Sequence, residues 1–148
     1  VDVQTGVGTI PRLVCANDVG QAVNPRLVEG QIEGGVVQAL GWAMTEHFVV
    51  EQGMPLTRTL STYLMPTIAD IPEEVEAIIL ENPDPRGPWG ARGMGEMPFL
   101  AVASAFHHAL RQATGIWYNR LPFTPERVVR GLHGLGDGNE PQVNREER

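Results

Sequence analysis

The chain has 148 residues, of which 42% are hydrophobic and 20% are charged, and its formal net charge is −7. These values are typical of a soluble globular domain that is large enough to have its own core. The acidic balance excludes a broad basic surface of the kind that binds nucleic acid or anionic membranes. No apolar run approaches the roughly 18 residues that a membrane-spanning helix needs.

Metal-binding side chains are few. The single cysteine, Cys15, excludes an internal disulfide and an iron–sulfur cluster, because a cluster takes about four thiolates. The histidines lack the spacing of a zinc site, so we predict no metal ligands in this chain. The first six residues read as a strand entering a turn and lack the pattern of a signal peptide. We therefore expect a cytoplasmic protein and a chain that begins inside a domain.

The first predicted elements are a hairpin and a long helix. Residues 1–20 predict a β-hairpin whose returning strand covers 11–17. Asn24 is a favourable N-cap, and Pro25 fits the first helical position, where its missing N–H is not needed. The pattern predicts a helix from Pro25 to about Thr45.

Strands, a loop and a second helix are predicted next. Strands are expected within 46–53 and over 75–80. Residues 82–98 contain four prolines and four glycines, which indicates an irregular loop. The apolar pattern that follows predicts a helix over about 98–114, with Gly115 ending it in a left-handed conformation.

The last predicted helix is short and begins at Thr124 and Pro125, which again match an N-cap and a first helical position. The order of elements indicates an α+β fold with a mixed sheet and packed helices. We assign residues 1–133 to one domain. Residues 134–148 are rich in glycine and then in charge, so we predict a disordered tail.

The long helix is unusual because it contains four glycines, at positions 30, 34, 35 and 41. Each interior glycine costs about 0.5–1 kcal/mol relative to alanine. Helical periodicity gives one apolar face, formed by Ile32, Val36, Leu40 and Ala43. The opposite face consists of Gln31, Gly34, Gly35, Gln38, Trp42 and Thr45. Two explanations stay open: tight helix packing, or a planar polar ligand that the amides of Gln31 and Gln38 recognise.

The segment 87–98 is the second unusual feature. Gly90, Gly93 and Gly95 permit positive φ angles and a close approach of backbone N–H groups to a ligand. Glu96 follows at once, before an apolar helix start, so we expect a carboxylate at the edge of a buried region. Either Glu96 only complements the helix dipole, or the loop contacts an anion or a cofactor.

Together these segments resemble the xanthine dehydrogenase / aldehyde oxidase family, the molybdenum hydroxylases. The similar stretches are 18–25 (DVGQAVNP), 28–41 (VEGQIEGGVVQALG), 62–67 (TYLMPT), 93–98 (GMGEMP) and 121–128 (LPFTPERV). They extend over nearly the whole chain to Leu132, in the family's order. The resemblance implies the C-terminal part of the molybdopterin-binding large subunit, a partial α+β domain. Arg92 and Met97 depart from the lysine and proline that are usual in the family.

The resemblance also implies roles for individual residues. The residue that matches Glu96 is the general base, which acts on a Mo–OH group while that group attacks an N-heterocycle or aldehyde carbon with oxygen derived from water. The residue that matches Gln31 contacts the molybdopterin-type molybdenum cofactor. We predict that the cofactor contacts are Gln31, Gly34, Gly35, Gln38, Arg92, Gly93 and Gly95.

The same resemblance implies partners. Iron–sulfur clusters and FAD are expected on other chains or domains, and the remainder of the molybdopterin-binding subunit completes the site around a small-molecule substrate. By itself the chain is an incomplete enzyme, either a fragment or a subunit of a split enzyme. The alternative function is a non-catalytic, cofactor-binding or structural module with the same fold.

Overall fold

The computed structural model describes residues 1–136. Its strands are β1 (Arg12–Asp18), β2 (Val50–Glu51), β3 (Met54–Pro55) and β4 (Glu74–Leu80). Its helices are α1 (Pro25–Met44), α2 (Met97–Leu100), α3 (Val102–Thr114) and α4 (Pro125–Leu132), with a 3₁₀ turn at Pro88–Gly90. The α+β class is confirmed. The predicted tail lies outside the described residues from position 137 onward.

Strand β1 pairs with β4 in a parallel two-stranded sheet, in register from Arg12 opposite Glu74 to Asp18 opposite Leu80. The predicted hairpin over residues 1–20 is therefore wrong, although its second strand exists. Residues 2–7 form a closed turn instead, in which the Gly6 amide donates to the Asp2 carbonyl. A parallel pair needs a long crossover, and here α1 is part of it and packs against side chains of both strands.

Helix α1 begins as predicted. The side chain of Asn24 accepts a hydrogen bond from the Leu27 amide at 3.3 Å, and Pro25 takes the first helical position. The helix ends at Met44, one residue before the expected end. Its apolar face forms the main core together with Val102 of α3 and with side chains of β1 and β4. The core members on α1 are Ile32, Val36, Ala39 and Leu40.

The strand expected within 46–53 is shorter than predicted. Only Val50–Glu51 is extended, and it pairs with Met54–Pro55 in an antiparallel hairpin. Gln52 and Gly53 both have positive φ angles, 48° and 79°, so the chain reverses inside the predicted strand. The strand predicted over 75–80 is confirmed as β4.

The helix expected over about 98–114 is divided into α2 and α3, and Ala101 lies between them. The two pieces pack differently, since Pro98 of α2 rests on α1 whereas Leu110 of α3 enters a second core. That core also contains Tyr118, Phe123 and Val128. Gly115 ends α3 with a φ of 76°, as predicted.

Helix α4 begins as the sequence indicates. The side chain of Thr124 accepts a hydrogen bond from the Arg127 amide at 3.3 Å, and Pro125 is the first helical residue. The helix covers the second core through Val128, whose carbonyl accepts from the Tyr118 hydroxyl at 3.1 Å. In the same region, His107 of α3 stacks on Phe123 with ring centroids 5.1 Å apart.

Candidate functional site

The centre of the candidate site is a contact between α1 and the loop that precedes α2. The side-chain amide of Gln31 donates to the Gly95 carbonyl at 2.6 Å. One turn further along α1, a Cβ added to Gly35 would lie only 3.0 Å from the Cβ of Pro98. The missing side chain at Gly35 therefore lets α2 pack closely against α1. The Gln31–Gly95 hydrogen bond and the Gly35–Pro98 contact together hold Glu96 beside α1.

The loop itself is anchored to the end of β1. The Arg92 amide donates to the Val19 carbonyl at 2.8 Å, and the Gln21 amide donates to the Gly90 carbonyl at 2.9 Å. Gly90 has a φ of 77°, and Trp89 before it has a φ of 52°. A positive φ is uncommon for a bulky residue, so the surrounding hydrogen bonds hold this turn in a strained conformation.

The predicted loop glycines differ from one another. A positive φ occurs at Gly90 and not at Gly93 or Gly95, so the conformational prediction is confirmed at one of the three positions. A Cβ added at Gly93 or at Gly95 would meet no atom within 4 Å. The same is true of Gly34 on α1. The backbone at these three glycines is therefore open.

Arg92 has partners within the chain. Its guanidinium lies 3.8 Å from the Asp18 carboxylate and donates to the Asn82 carbonyl at 3.3 Å. Hydrogen bonds from the Gly20 amide and from Asn82, with the charge of Arg92, hold the pKa of Asp18 below its ordinary value, against the opposing effect of burial. Arg92 therefore joins the loop to the ends of β1 and β4.

Glu96 occupies the N-cap position of α2, but its side chain makes no capping hydrogen bond. Among residues 1–136 the Glu96 carboxylate has no hydrogen-bond or ion-pair partner, which leaves it available. The predicted position of Glu96 at the edge of a buried region is wrong, because Glu96 is exposed and α2, although wholly apolar, is buried on one side only. Pro98 is buried, whereas Leu100 is 74% exposed.

Two cavities adjoin the loop that precedes α2, and Gly95 lines both of them. The first cavity, about 420 Å³, lies at the start of α1 and is lined by Gln31, Arg92 and Gly95 among others. The second cavity, about 790 Å³, follows the C-terminal half of α1 and is lined by Gly35, Gln38, Gly95 and Glu96 among others. Gly34 and Gly93 line neither of these two cavities.

Comparison with known proteins gives the family. Residues 1–72 match the molybdopterin cofactor-binding domain. A xanthine dehydrogenase molybdenum-binding subunit of Escherichia coli K12, described as putative, is 36% identical over 138 residues, which are 92% of this chain and 18% of that protein. The aldehyde oxidoreductase of Megalodesulfovibrio gigas is 36% identical over 132 residues, covering 89% of this chain and 14% of that protein. The chain belongs to the xanthine dehydrogenase / aldehyde oxidase family.

A solved structure supports the same assignment to the molybdenum hydroxylases. Quinoline 2-oxidoreductase from Pseudomonas putida 86 superposes with a TM-score of 0.81 and 33% sequence identity, over 90% of this chain and 17% of that one. The chain thus spans less than a fifth of the length of the relatives it matches. A molybdopterin-type molybdenum cofactor is confirmed at the level of the family, and the individual contact residues stay predictions.

One pair of residues in this molybdenum hydroxylase chain was missed by sequence reasoning. The Tyr63 hydroxyl donates to the Glu46 carboxylate at 2.5 Å, and both residues line the second cavity. The hydrogen bond to Glu46 raises the pKa of the Tyr63 phenol, and burial and the charge of Glu46 act in the same direction. The only sequence signal was the family-like stretch 62–67, which does not reveal the partner of Tyr63.

Neither a metal centre nor a membrane segment is found in residues 1–136. No group of three or more His, Cys, Asp or Glu residues in this range is arranged to hold a metal ion. None of the helices in the same range has the length and apolar character to cross a bilayer. The molybdenum hydroxylase assignment rests on the cofactor-binding match, the relatives and the superposed structure.

Proposed function

We propose that this chain is part of a molybdenum-cofactor oxidoreductase that hydroxylates an N-heterocycle or aldehyde carbon with oxygen from water, and that Glu96 is the general base. The observation that carries the proposal is the position of Glu96. Its carboxylate lies at the second cavity without a partner among the described residues, one residue after the carbonyl that Gln31 binds. A family of hydroxylases supports the reaction class.

The residues present fit a molybdopterin group. Gly34, Gly93 and Gly95 expose backbone that no described atom approaches within 4 Å of a built Cβ, although a helical glycine such as Gly34 costs about 1 kcal/mol. Gln31 retains an amide oxygen that can accept hydrogen bonds while its N–H₂ group holds Gly95. Bare backbone beside an amide suits a flat ligand whose edge carries both donors and acceptors. Gln38 lines the second cavity and supplies another amide.

Glu96 and the contact between Pro98 and Gly35 have defined parts in the proposed reaction. When bound, the molybdenum cofactor would supply the oxygen nucleophile and would accept, as a hydride, the hydrogen of the substrate C–H bond that breaks together with its two electrons. Glu96 removes the proton from that nucleophile while the new C–O bond forms, which requires a distance of about 2.6–3.2 Å between the two oxygens. The packing of Pro98 against Gly35 holds Glu96 on a rigid support. A general base needs such support to stay in position.

The remainder of the enzyme is also part of the proposal. Since the chain spans 18% of the E. coli relative, which is named a molybdenum-binding subunit, we infer that further polypeptide completes the cofactor site. Iron–sulfur and FAD-containing chains or domains then carry the electrons away from the molybdenum site. The substrate is a small molecule, and the location proposed for the enzyme is the cytoplasm.

The test is Glu96→Gln in the complete enzyme. Glutamine keeps the size of the side chain and cannot take the proton, so turnover is expected to fall by about 10²–10⁴ while the molybdenum content is unchanged. Glu33→Gln is the matched control, since Glu33 is an exposed carboxylate of α1 that lines neither cavity.

Two results decide against the proposal. If Glu96→Gln turns over at the wild-type rate with full molybdenum, Glu96 is not the base. If, in addition, Gln31→Ala removes the metal, the chain acts as a non-catalytic cofactor-binding module, the alternative function.

A further inference from the structure

The carboxylate of Asp18 connects the loop that precedes α2 to the carboxyl ends of both strands of the parallel sheet. One of its oxygens accepts hydrogen bonds from the Gly20 amide at 3.0 Å and from the Asn82 amide at 3.2 Å. The other accepts from the Asn82 side chain at 3.2 Å and lies 3.8 Å from the Arg92 guanidinium. We call the group formed by Asp18, Asn82 and Arg92 the Asp18 junction.

The backbone of Arg92 is held at the same place. Its amide donates to the Val19 carbonyl at 2.8 Å, and its guanidinium donates to the Asn82 carbonyl at 3.3 Å. Hydrogen bonds, above all that from the Gly20 amide, hold the pKa of Asp18 below its ordinary value, so the carboxylate stays ionised at neutral pH. Both the peptide group and the charged group of Arg92 are therefore joined to the sheet.

The span between this junction and Glu96 has little to hold it. It consists of three residues, and two of them are Gly93 and Gly95, whose backbone no described atom approaches within 4 Å of a built Cβ. The Glu96 carboxylate has no partner among residues 1–136, so its position follows from the backbone on both sides of it. On one side Pro98 packs against α1, and on the other side the span begins at Arg92.

We propose that Asp18 and Arg92 are positioning residues for the proton transfer, because the Asp18 junction fixes where the loop leaves the sheet and so where the Glu96 carboxylate lies at the second cavity. This inference rests on the proposed role of Glu96. Asp18 lines neither cavity, so it acts through the loop. A displacement of about 1 Å at a reacting group can cost about 10²-fold in rate, so a small shift of the loop is sufficient.

Two other contacts hold the same span from the side of α1. Met94 packs against the main core, and the Gln31 side chain binds the Gly95 carbonyl at 2.6 Å. Loss of the Asp18 junction leaves these contacts in place. We therefore expect a displaced loop in a folded protein, with an effect on the rate of the chemical step and none on the assembly of the enzyme.

The test is Asp18→Asn in the complete enzyme, because asparagine retains one acceptor oxygen and loses the charge that faces Arg92. We expect kcat to fall about tenfold to a hundredfold while KM and molybdenum content are unchanged, as for an interaction that serves only the transition state. The solvent isotope effect on kcat is expected to rise, because proton removal then limits turnover to a greater degree. Glu76→Gln is the matched control, since Glu76 pairs with Arg12 near the opposite end of the same two strands and lines neither cavity.

Two further measurements do not depend on turnover by Asp18→Asn alone. Hydrogen exchange of the complete enzyme, followed by mass spectrometry, is expected to be faster in Asp18→Asn for peptides that contain the Arg92 amide, and unchanged in Glu76→Gln. Arg92→Lys keeps the charge and is expected to retain more turnover than Arg92→Gln, with full molybdenum in both.

A double variant tests whether Asp18 acts through Glu96. In the Glu96→Gln background, Asp18→Asn is expected to cause no further loss of turnover, because the base that it would displace is absent. Glu96→Gln with wild-type turnover removes the proposed function itself, whereas a slow Glu96→Gln beside an unaffected Asp18→Asn removes only this inference.

Four outcomes overturn the inference. They are wild-type kcat in Asp18→Asn, an equal loss of kcat in Glu76→Gln, the same factor of loss from Asp18→Asn with and without Glu96, and unchanged hydrogen exchange around Arg92. Loss of molybdenum in Arg92→Gln also overturns it, because Arg92 then contacts the cofactor directly from the first cavity, which it lines.

Discussion

The four glycines of α1 differ in what lies against them. Gly35 and Gly41 adjoin prolines of neighbouring segments, Pro98 and Pro66, and a Cβ at either position would be crowded. Gly30 and Gly34 have no described atom within 4 Å of a built Cβ. Close packing within the chain accounts for the first pair. The second pair costs helix stability, and no contact among residues 1–136 accounts for that cost.

The largest expected effect separates a buried residue of α1 from an exposed one beside it. Ile32 is fully buried in the main core, so Ile32→Ala is expected to lower the free energy of unfolding by about 2–5 kcal/mol. Gln31→Ala next to it removes one exposed hydrogen bond and is expected to cost about 1 kcal/mol or less. Urea unfolding of both variants measures the difference. Equal losses in the free energy of unfolding would contradict the expected contrast between Ile32 and Gln31.

The next effect concerns a crowded glycine. Gly41→Ala places a methyl group against Pro66 and the Glu46 carboxylate, and overpacking of this kind costs about 1–3 kcal/mol in the free energy of unfolding. The Tyr63–Glu46 hydrogen bond is expected to be disturbed in the same variant. Urea unfolding measures the loss, and a variant as stable as wild type shows that Gly41 is not needed for packing.

A smaller effect of opposite sign is expected at an open glycine. Gly34→Ala meets no atom of the described chain and raises helix propensity, so the free energy of unfolding is expected to rise by about 0.5–1 kcal/mol. The measurement is the same urea titration, with Gly41→Ala as the paired variant. Destabilisation by both substitutions would contradict the distinction between the open position at Gly34 and the crowded position at Gly41.

The smallest effect concerns Asp18, which lies beside Arg92 and helps to anchor the loop that precedes α2. The pKa of Asp18 is below its ordinary value of 3.8, so its contribution to stability is complete above that value and is lost as the pH falls through the lower folded pKa. Asp18→Asn is therefore expected to be less stable than wild type at neutral pH, and the difference is expected to shrink in acid. A difference that does not depend on pH contradicts this account of Asp18.

Local signals in the sequence predicted the helix starts correctly. Asn24 with Pro25, and Thr124 with Pro125, act through hydrogen bonds and φ angles within four residues, so the sequence alone is sufficient. The partner of β1 was predicted incorrectly, because pairing with β4 across more than fifty residues depends on how α1 covers the sheet. Turn chemistry at Gln52 was overlooked, which made the predicted strand too long.

The candidate site was predictable in composition and less so in arrangement. Periodicity placed Gly34 and Gly35 on one strip, yet one is open and the other packs on Pro98, because the position of α2 is not encoded near α1 in the sequence. The apolar residues after Glu96 suggested burial on all sides, whereas α2 buries one side only. The Tyr63–Glu46 pair depends on tertiary packing and left no local signal.

The central proposal is that the bare backbone at Gly34 of α1 serves the cofactor, and its most direct test is the molybdenum content of Gly34→Leu in the complete enzyme. Leucine favours the helix, and a Cβ at this position meets no described atom within 4 Å, so the chain is expected to fold normally while molybdenum content falls severalfold. Glu33→Leu, one position along the exposed surface, is the control and is expected to load fully. Full molybdenum content in Gly34→Leu, or an equal loss in Glu33→Leu, contradicts the claim.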